Sequence, residues 1–221
     1  MAGLVQPLER VAVVMDLDEA LLDRREAWLY AIEESVAAIT GTRISARSLL
    51  DEYRLRPPRD ALRILLRDSA GIDHCEALSW QMYRRSAMKR LLVHEGVGMA
   101  LDALREARVE VGVISREAHP DALKQIESTG LDRFVTVLSA TAAGTPWDPG
   151  SRWGDCLRFL DQRPERCAFV SPFPEDLQVI EQTGADVLAA GWVEVPPPAH
   201  DALRHPAALV RVLRSRFSLD R

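Results

Sequence analysis

Five short runs dense in apolar residues constrain the fold more than any other feature: 11–15 (VAVVM), 109–115 (VEVGVIS), 134–140 (FVTVLSA), 167–171 (CAFVS) and 185–191 (ADVLAAG). They do not alternate cleanly between apolar and polar. Strands of a parallel sheet that are covered on both faces have this pattern. Helical periodicity fills the gaps at 98–108, 119–130, 151–162 and 174–184, and again at the closing segment 207–217. Pro120 suits a first helical turn, while Gly130 and Gly184 suit helix ends. Strand alternating with helix predicts an α/β fold, a Rossmann-like parallel sheet with right-handed crossovers. The 221 residues, 47% hydrophobic and 28% charged, suffice for one globular core.

The first crossover breaks the rhythm. Roughly 70 residues separate Leu22 from Val93, far more than a strand-to-helix connection needs. Their pattern is helical: 27–41, 46–55, 59–71 and 76–92, with turns expected at 57–60 (PPRD) and 71–74 (GIDH). Asp23 and Glu26 have the spacing of a capping box for the first of these helices. The chain therefore divides into a core of 1–21 and 94–221 and an inserted α-helical cap of 22–93. Segment 192–206 is polar and Pro-rich and is expected to be a tail-like connection.

Composition excludes several classes of function. A net charge of −5 does not suit a nucleic-acid partner, which calls for a basic face. No apolar run approaches the length of a membrane span, and the first ten residues do not have the pattern of a signal peptide. Cys75, Cys156 and Cys167 are odd in number and widely spaced, which predicts free buried thiols and a cytoplasmic location.

Chemistry is expected where strands end, because ligands of open parallel sheets sit beyond the carboxyl ends. Asp16 and Asp18 follow the first strand, one residue apart, and can face one pocket. Paired carboxylates let one act as nucleophile or metal ligand while the other handles a proton. The second strand ends at Ser115, whose hydroxyl suits an anion such as phosphate, or equally a helix N-cap. The plain alternative for the two aspartates is a solvated turn.

The order of these pieces resembles the haloacid dehalogenase superfamily, mostly magnesium-dependent phosphatases. "DLDEALLD" (16–23) resembles its first motif, Asp-x-Asp-Gly-Thr-Leu-x-Asp. Segment 95–115 resembles the approach to its second, and 163–192 the strand, acidic loop and helix of its fourth. The helical insert sits where members with a small cap carry theirs. The resemblance implies a family core with a helical cap, and Asp16 as nucleophile of an aspartyl-phosphate. It implies Asp18 as general acid and base. Mg²⁺ would be held by Asp16, the backbone carbonyl of Asp18 and an acid of the fourth motif, Asp176 or alternatively Glu175. Phosphate would be bound by Ser115 and Arg116. The substrate would be a small phosphorylated metabolite.

The departures from the family pattern cluster at the same place. Glu19-Ala20 replaces Gly-Thr, bringing a third negative charge to a bend where glycine is usual. The motif lysine is missing near Thr145-Pro146; Lys89 and Lys124 are the two lysines of the chain, and neither lies there. Arg152 is the nearby cation, though guanidinium and ammonium are not interchangeable. Pro172 stands where a direct metal carboxylate is expected. Two readings follow. In one, the chain is a degraded member, a pseudoenzyme that binds a metabolite or a protein partner. In the other, it is an active phosphohydrolase whose Glu175 or Asp176 takes the metal and whose Arg152 or Arg116 takes the charge of the lysine. Trp147 and Trp153 flank the altered motif and are expected to cover the sheet edge rather than stack a ligand.

Overall fold

A computed structural model of the chain describes residues 10–47, 58–66, 71–193 and 201–218. At its centre is β1 (Ala12–Asp16), flanked by β4 (Glu110–Ala118) and β6 (Cys167–Ser171). Outside these lie β5 (Val137–Thr141) on one side, then β7 (Asp186–Ala190) and β8 (Ala202–Leu203) on the other. The order is β5-β4-β1-β6-β7-β8, and every neighbouring pair is parallel.

Alternation within β1 explains why its sequence does not look alternating. Val13 and Met15 face one apolar cluster, with helices α4 (Val97–Glu106), α5 (His119–Thr129) and α8 (Ala208–Phe217). Ala12 and Val14 face the other, with α6 (Pro149–Leu160) and α7 (Pro174–Glu181). Both faces of the strand are dry, so both sets of side chains must be apolar. Gly130, at φ 69°, closes α5 in the left-handed conformation, as its position in the sequence predicts. All three cysteines are buried and free, and burial pushes the Cys156 thiol up to about 12.

The insert forms its own apolar cluster, drawn entirely from residues between Ala27 and Leu91. It is built on α1 (Arg25–Thr40), α2 (Pro58–Leu66) and α3 (Ile72–Arg85). Trp28 stacks on Tyr83 with ring centroids 4.1 Å apart, and Trp80 meets Trp28 edge-on at 4.5 Å. Two short strands, β2 (Leu22–Asp23) and β3 (Leu92–Val93), pair antiparallel where the chain leaves and re-enters the core.

Several local expectations need correction. The Asp23–Glu26 capping box does not form; α1 begins after Arg24 without a side-chain cap, and Asp23 instead binds the amide and guanidinium of Arg25. Pro58, Arg59 and Asp60 open α2 rather than a turn, and the turn at 71–74 shrinks to Gly71 because α3 starts at Ile72. Within the segment expected to be a tail, Ala202–Leu203 adds an edge strand. Residue 57, residues 48–55 of the helix expected at 46–55, and residues 194–200 of the Pro-rich connection lie outside the described residues.

Candidate active site

Three irregularities at the strand ends build the site. The first is a π-helical turn, Leu17–Leu21, directly after β1. Asp16 caps it: its Oδ1 accepts from the amides of Glu19 at 2.8 Å and Ala20 at 3.3 Å. The carbonyls of the turn are met from outside, Glu19 by His94 Nε2 at 2.8 Å and Ala20 by Trp192 Nε1 at 3.0 Å. A carbonyl only accepts, so His94 carries its hydrogen on Nε2; burial lowers its pKa and favours the neutral ring. Glu19 is not among the residues with positive φ, so the turn bends without glycine. Short π segments are frequent at functional sites.

The second irregularity is a bulge in β4. Pairing with β5 jumps from Ser115↔Ala140 to Ala118↔Thr141, leaving Arg116 and Glu117 unpaired. A bulge re-aims side chains, and here Arg116 reaches Asp16 at the end of β1 while Glu117 reaches Arg24. Ser115 is therefore not the N-cap of α5; Ala118 holds that position without a side-chain bond. The third is the Pro172-Phe173 corner after β6. There Phe173 N donates to Ser171 Oγ at 3.1 Å and α7 begins at Pro174.

These features gather two charged knots. Asp18 is fully buried, with Ser115 Oγ donating to its Oδ1 at 2.8 Å and the Arg116 amide to its Oδ2 at 2.6 Å. Arg24 stands 3.7 Å from the same carboxylate and pairs with Glu19 at 2.8 Å and Glu117 at 3.0 Å. Arg24 thus offsets part of the extra charge at Glu19. The Arg116 guanidinium forms the second knot. Its Nη2 lies 2.8 Å from Asp176 Oδ2 and its Nη1 3.5 Å from Asp16 Oδ2. Its central carbon lies 3.9 Å from the Phe173 ring centroid and 4.5 Å from that of Trp147. Trp147 Nε1 also donates to Asp176 Oδ1 at 3.1 Å.

The acids outweigh the bases here, and the proton affinities reflect it. Burial, reinforced by Asp18, raises Asp16 to about 7 against the pull of Arg116. Burial likewise raises Glu19 and Glu117 to about 7, although Arg24 draws both down. Asp176 is raised as well, by burial, against the opposing pull of Arg116 and Trp147.

Among the residues picked out in the sequence, Asp16, Asp18, Ser115, Arg116 and Asp176 therefore come together. Glu175 stays at the rim, its side chain 69% exposed and 4.0 Å from Arg116. Arg152 does not join them: it donates to the Ala140 carbonyl at 2.9 Å and pairs with Asp155, so its charge is committed to the end of β5. Trp147 stacks on Arg116, whereas Trp153 is buried against Phe169 in the core. Arg24, Glu117 and Phe173 were missed, because nothing in their local sequence marks which acid or cation they will meet.

The donor set does not fit Mg²⁺. The ion needs a near-octahedral set of oxygens at roughly 2.0–2.1 Å. The carboxylates of Asp16 and Asp176 instead share a guanidinium, and Pro172 has no ligating side chain. Among the described residues no group of three or more His, Cys, Asp or Glu is arranged to hold a metal.

Comparison with known proteins agrees with the fold. A family model described as haloacid dehalogenase-like hydrolase matches residues 13–189. A HAD-superfamily hydrolase of subfamily IA from Geobacter sulfurreducens is 20% identical, with 92% of this chain and 96% of that chain covered at a TM-score of 0.75. Protein Tyrosine Kinase A of Mycobacterium tuberculosis is 18% identical, with 94% and 99% covered at 0.75. CbbY from Rhodobacter sphaeroides, solved in complex with phosphate, is 17% identical, with 90% and 96% covered at 0.65. Among curated proteins nothing matches the chain.

Proposed function

Because the chain belongs to the haloacid dehalogenase-like hydrolase family, we propose that it is a member impaired as a phosphatase, one that binds a small phosphorylated metabolite or a protein partner without efficient turnover. One observation carries this reading. Ser115 Oγ and the Arg116 amide, the donors a phosphate would use, both bind the Asp18 carboxylate. A phosphate entering there must break two hydrogen bonds to a charged group, each worth roughly 1.5–3 kcal/mol. It must also leave Asp18 buried without them, beside Asp16 and Glu19. At about 1.4 kcal/mol per decade, the two bonds together correspond to roughly 10²–10⁴-fold in occupancy of the site.

The competing reading is an active hydrolase that forms an aspartyl-phosphate at Asp16. It draws on the retention of both first-motif acids at the end of β1. A cytoplasmic location belongs to the proposal and is supported by the three free thiols. No described helix is long and apolar enough to cross a membrane.

The test is phosphate release from a panel of small phosphate monoesters, with and without Mg²⁺, for the wild type and Asp16→Asn. The expected outcome is no release above that of the variant. Mg²⁺-dependent turnover that disappears in Asp16→Asn would establish the competing reading instead.

A further inference from the structure

Two of the departures from the family pattern, the missing lysine near Thr145-Pro146 and Pro172, have as neighbours Trp147 and Phe173, which both meet Arg116 in space. Arg116 enters from the bulge of β4, Trp147 from the loop before α6, and Phe173 from the corner after β6. Together they set a guanidinium against Asp16 and Asp176, bond it to both acids and hold it against two aromatic rings. A guanidinium is always charged and is more weakly hydrated than an ammonium, so it tolerates such an enclosure. Only 26% of the side chain is exposed.

From this geometry we infer that Arg116 is a resident cation, built into the chain in the place that a divalent ion would take, and that it excludes such an ion. A divalent ion bridging Asp16 Oδ2 and Asp176 Oδ2 would have to displace the guanidinium nitrogens that stand against those two oxygens. The position of Pro172 follows from the same device. An acid there would add a further negative charge to a knot that one guanidinium already compensates incompletely. Removing the guanidinium while keeping the acids should therefore open a cation site that the natural chain lacks.

The experiment is Mn²⁺ binding, followed by loss of the free-ion EPR signal and by the shift of Tm with added Mn²⁺. Wild type is expected to show neither at low millimolar Mn²⁺. Arg116→Ala is expected to bind at least tenfold more tightly than wild type and to gain Tm with Mn²⁺, and Asp16→Asn added to it should abolish both effects. Arg116→Gln, which keeps a polar stem of similar reach, is measured alongside and replaces Arg116→Ala if that variant does not fold. Wild type binding Mn²⁺ as tightly as the variants would overturn the inference. So would folded variants that bind none. The outcome is separable from the functional reading: turnover without any divalent ion would overturn that reading and leave this one standing, while Mn²⁺ bound by the wild type would do the reverse.

Discussion

Arg24→Ala is expected to lower the free energy of unfolding by roughly 3–5 kcal/mol at pH 8, the range found when one partner of a buried ion pair is removed. The side chain is only 13% exposed, and its guanidinium faces Glu19, Glu117 and Asp18 at 2.8, 3.0 and 3.7 Å. Take it away and three carboxylates at the join between core and cap lose their common cation. The loss should shrink at pH 5. Arg24 draws the pKa values of Glu19 and Glu117 down, so without it both acids rise above their present value of about 7 and are neutral well before pH 5 is reached. Arg24→Met separates packing from charge, because methionine keeps much of the apolar stem. If the charge matters, methionine recovers little at pH 8. Urea unfolding of the three proteins at both pH values is the measurement. A loss under about 1 kcal/mol at pH 8, the scale of exposed pairs, would show that solvent already screens these acids.

That knot also shows where a linear sequence stops informing. The sheet was legible because its cause is local: each of the five expected runs overlaps an observed strand, and buried strands must be apolar whatever their partners. The helices between Leu22 and Val93 were legible because a connection of that length must contain structure of its own. That Asp16 and Asp18 would meet residues from the ends of neighbouring strands followed from topology, since β1 has a parallel neighbour on each side. The wiring of the site did not follow. Asp18 meets Ser115 across 97 positions, Arg24 meets Glu117 across 93, and Arg116 meets Asp176 across 60. One bulged residue pair in β4 decides two of these contacts, and a bulge leaves no compositional mark in "ISREA". Arg152 looked like the nearer cation because proximity in sequence to the altered motif was the available clue. In three dimensions the end of β5 claims it first. Trp147 was read as cover for the sheet edge, and its role as a wall for Arg116 depends on a side chain from a different strand.

The stability of the protein should fall as pH rises from about 5 to 8, and Glu117→Gln should remove part of that fall. The sign follows from the proton count. Burial raises Glu117 from an ordinary 4.5 to about 7, so between those values the folded state holds a proton that the unfolded chain has released. Stability from this group is complete below about 4.5 and is lost as pH climbs through 7. At about 1.36 kcal/mol per pKa unit, the group alone contributes a change on the order of 3 kcal/mol across the window. The groups facing it are Arg24, Asp18 and Asp121; Arg24 opposes the shift and the two aspartates reinforce it. Asp16 and Glu19, also raised to about 7, act in the same direction. His94 acts the other way. Its lowered pKa gives stability that is present above its ordinary 6.5 and lost as pH falls. The total slope therefore mixes opposing groups, but the difference between wild type and Glu117→Gln isolates one. Glutamine mimics the protonated acid and can still accept from Arg24. The two proteins should have similar urea midpoints near pH 5, separate between about pH 5 and 7 and stay apart at pH 8, with the variant the more stable. Parallel curves across the whole range would show that Glu117 ionises normally in the folded protein, and that water reaches it through the join between core and cap.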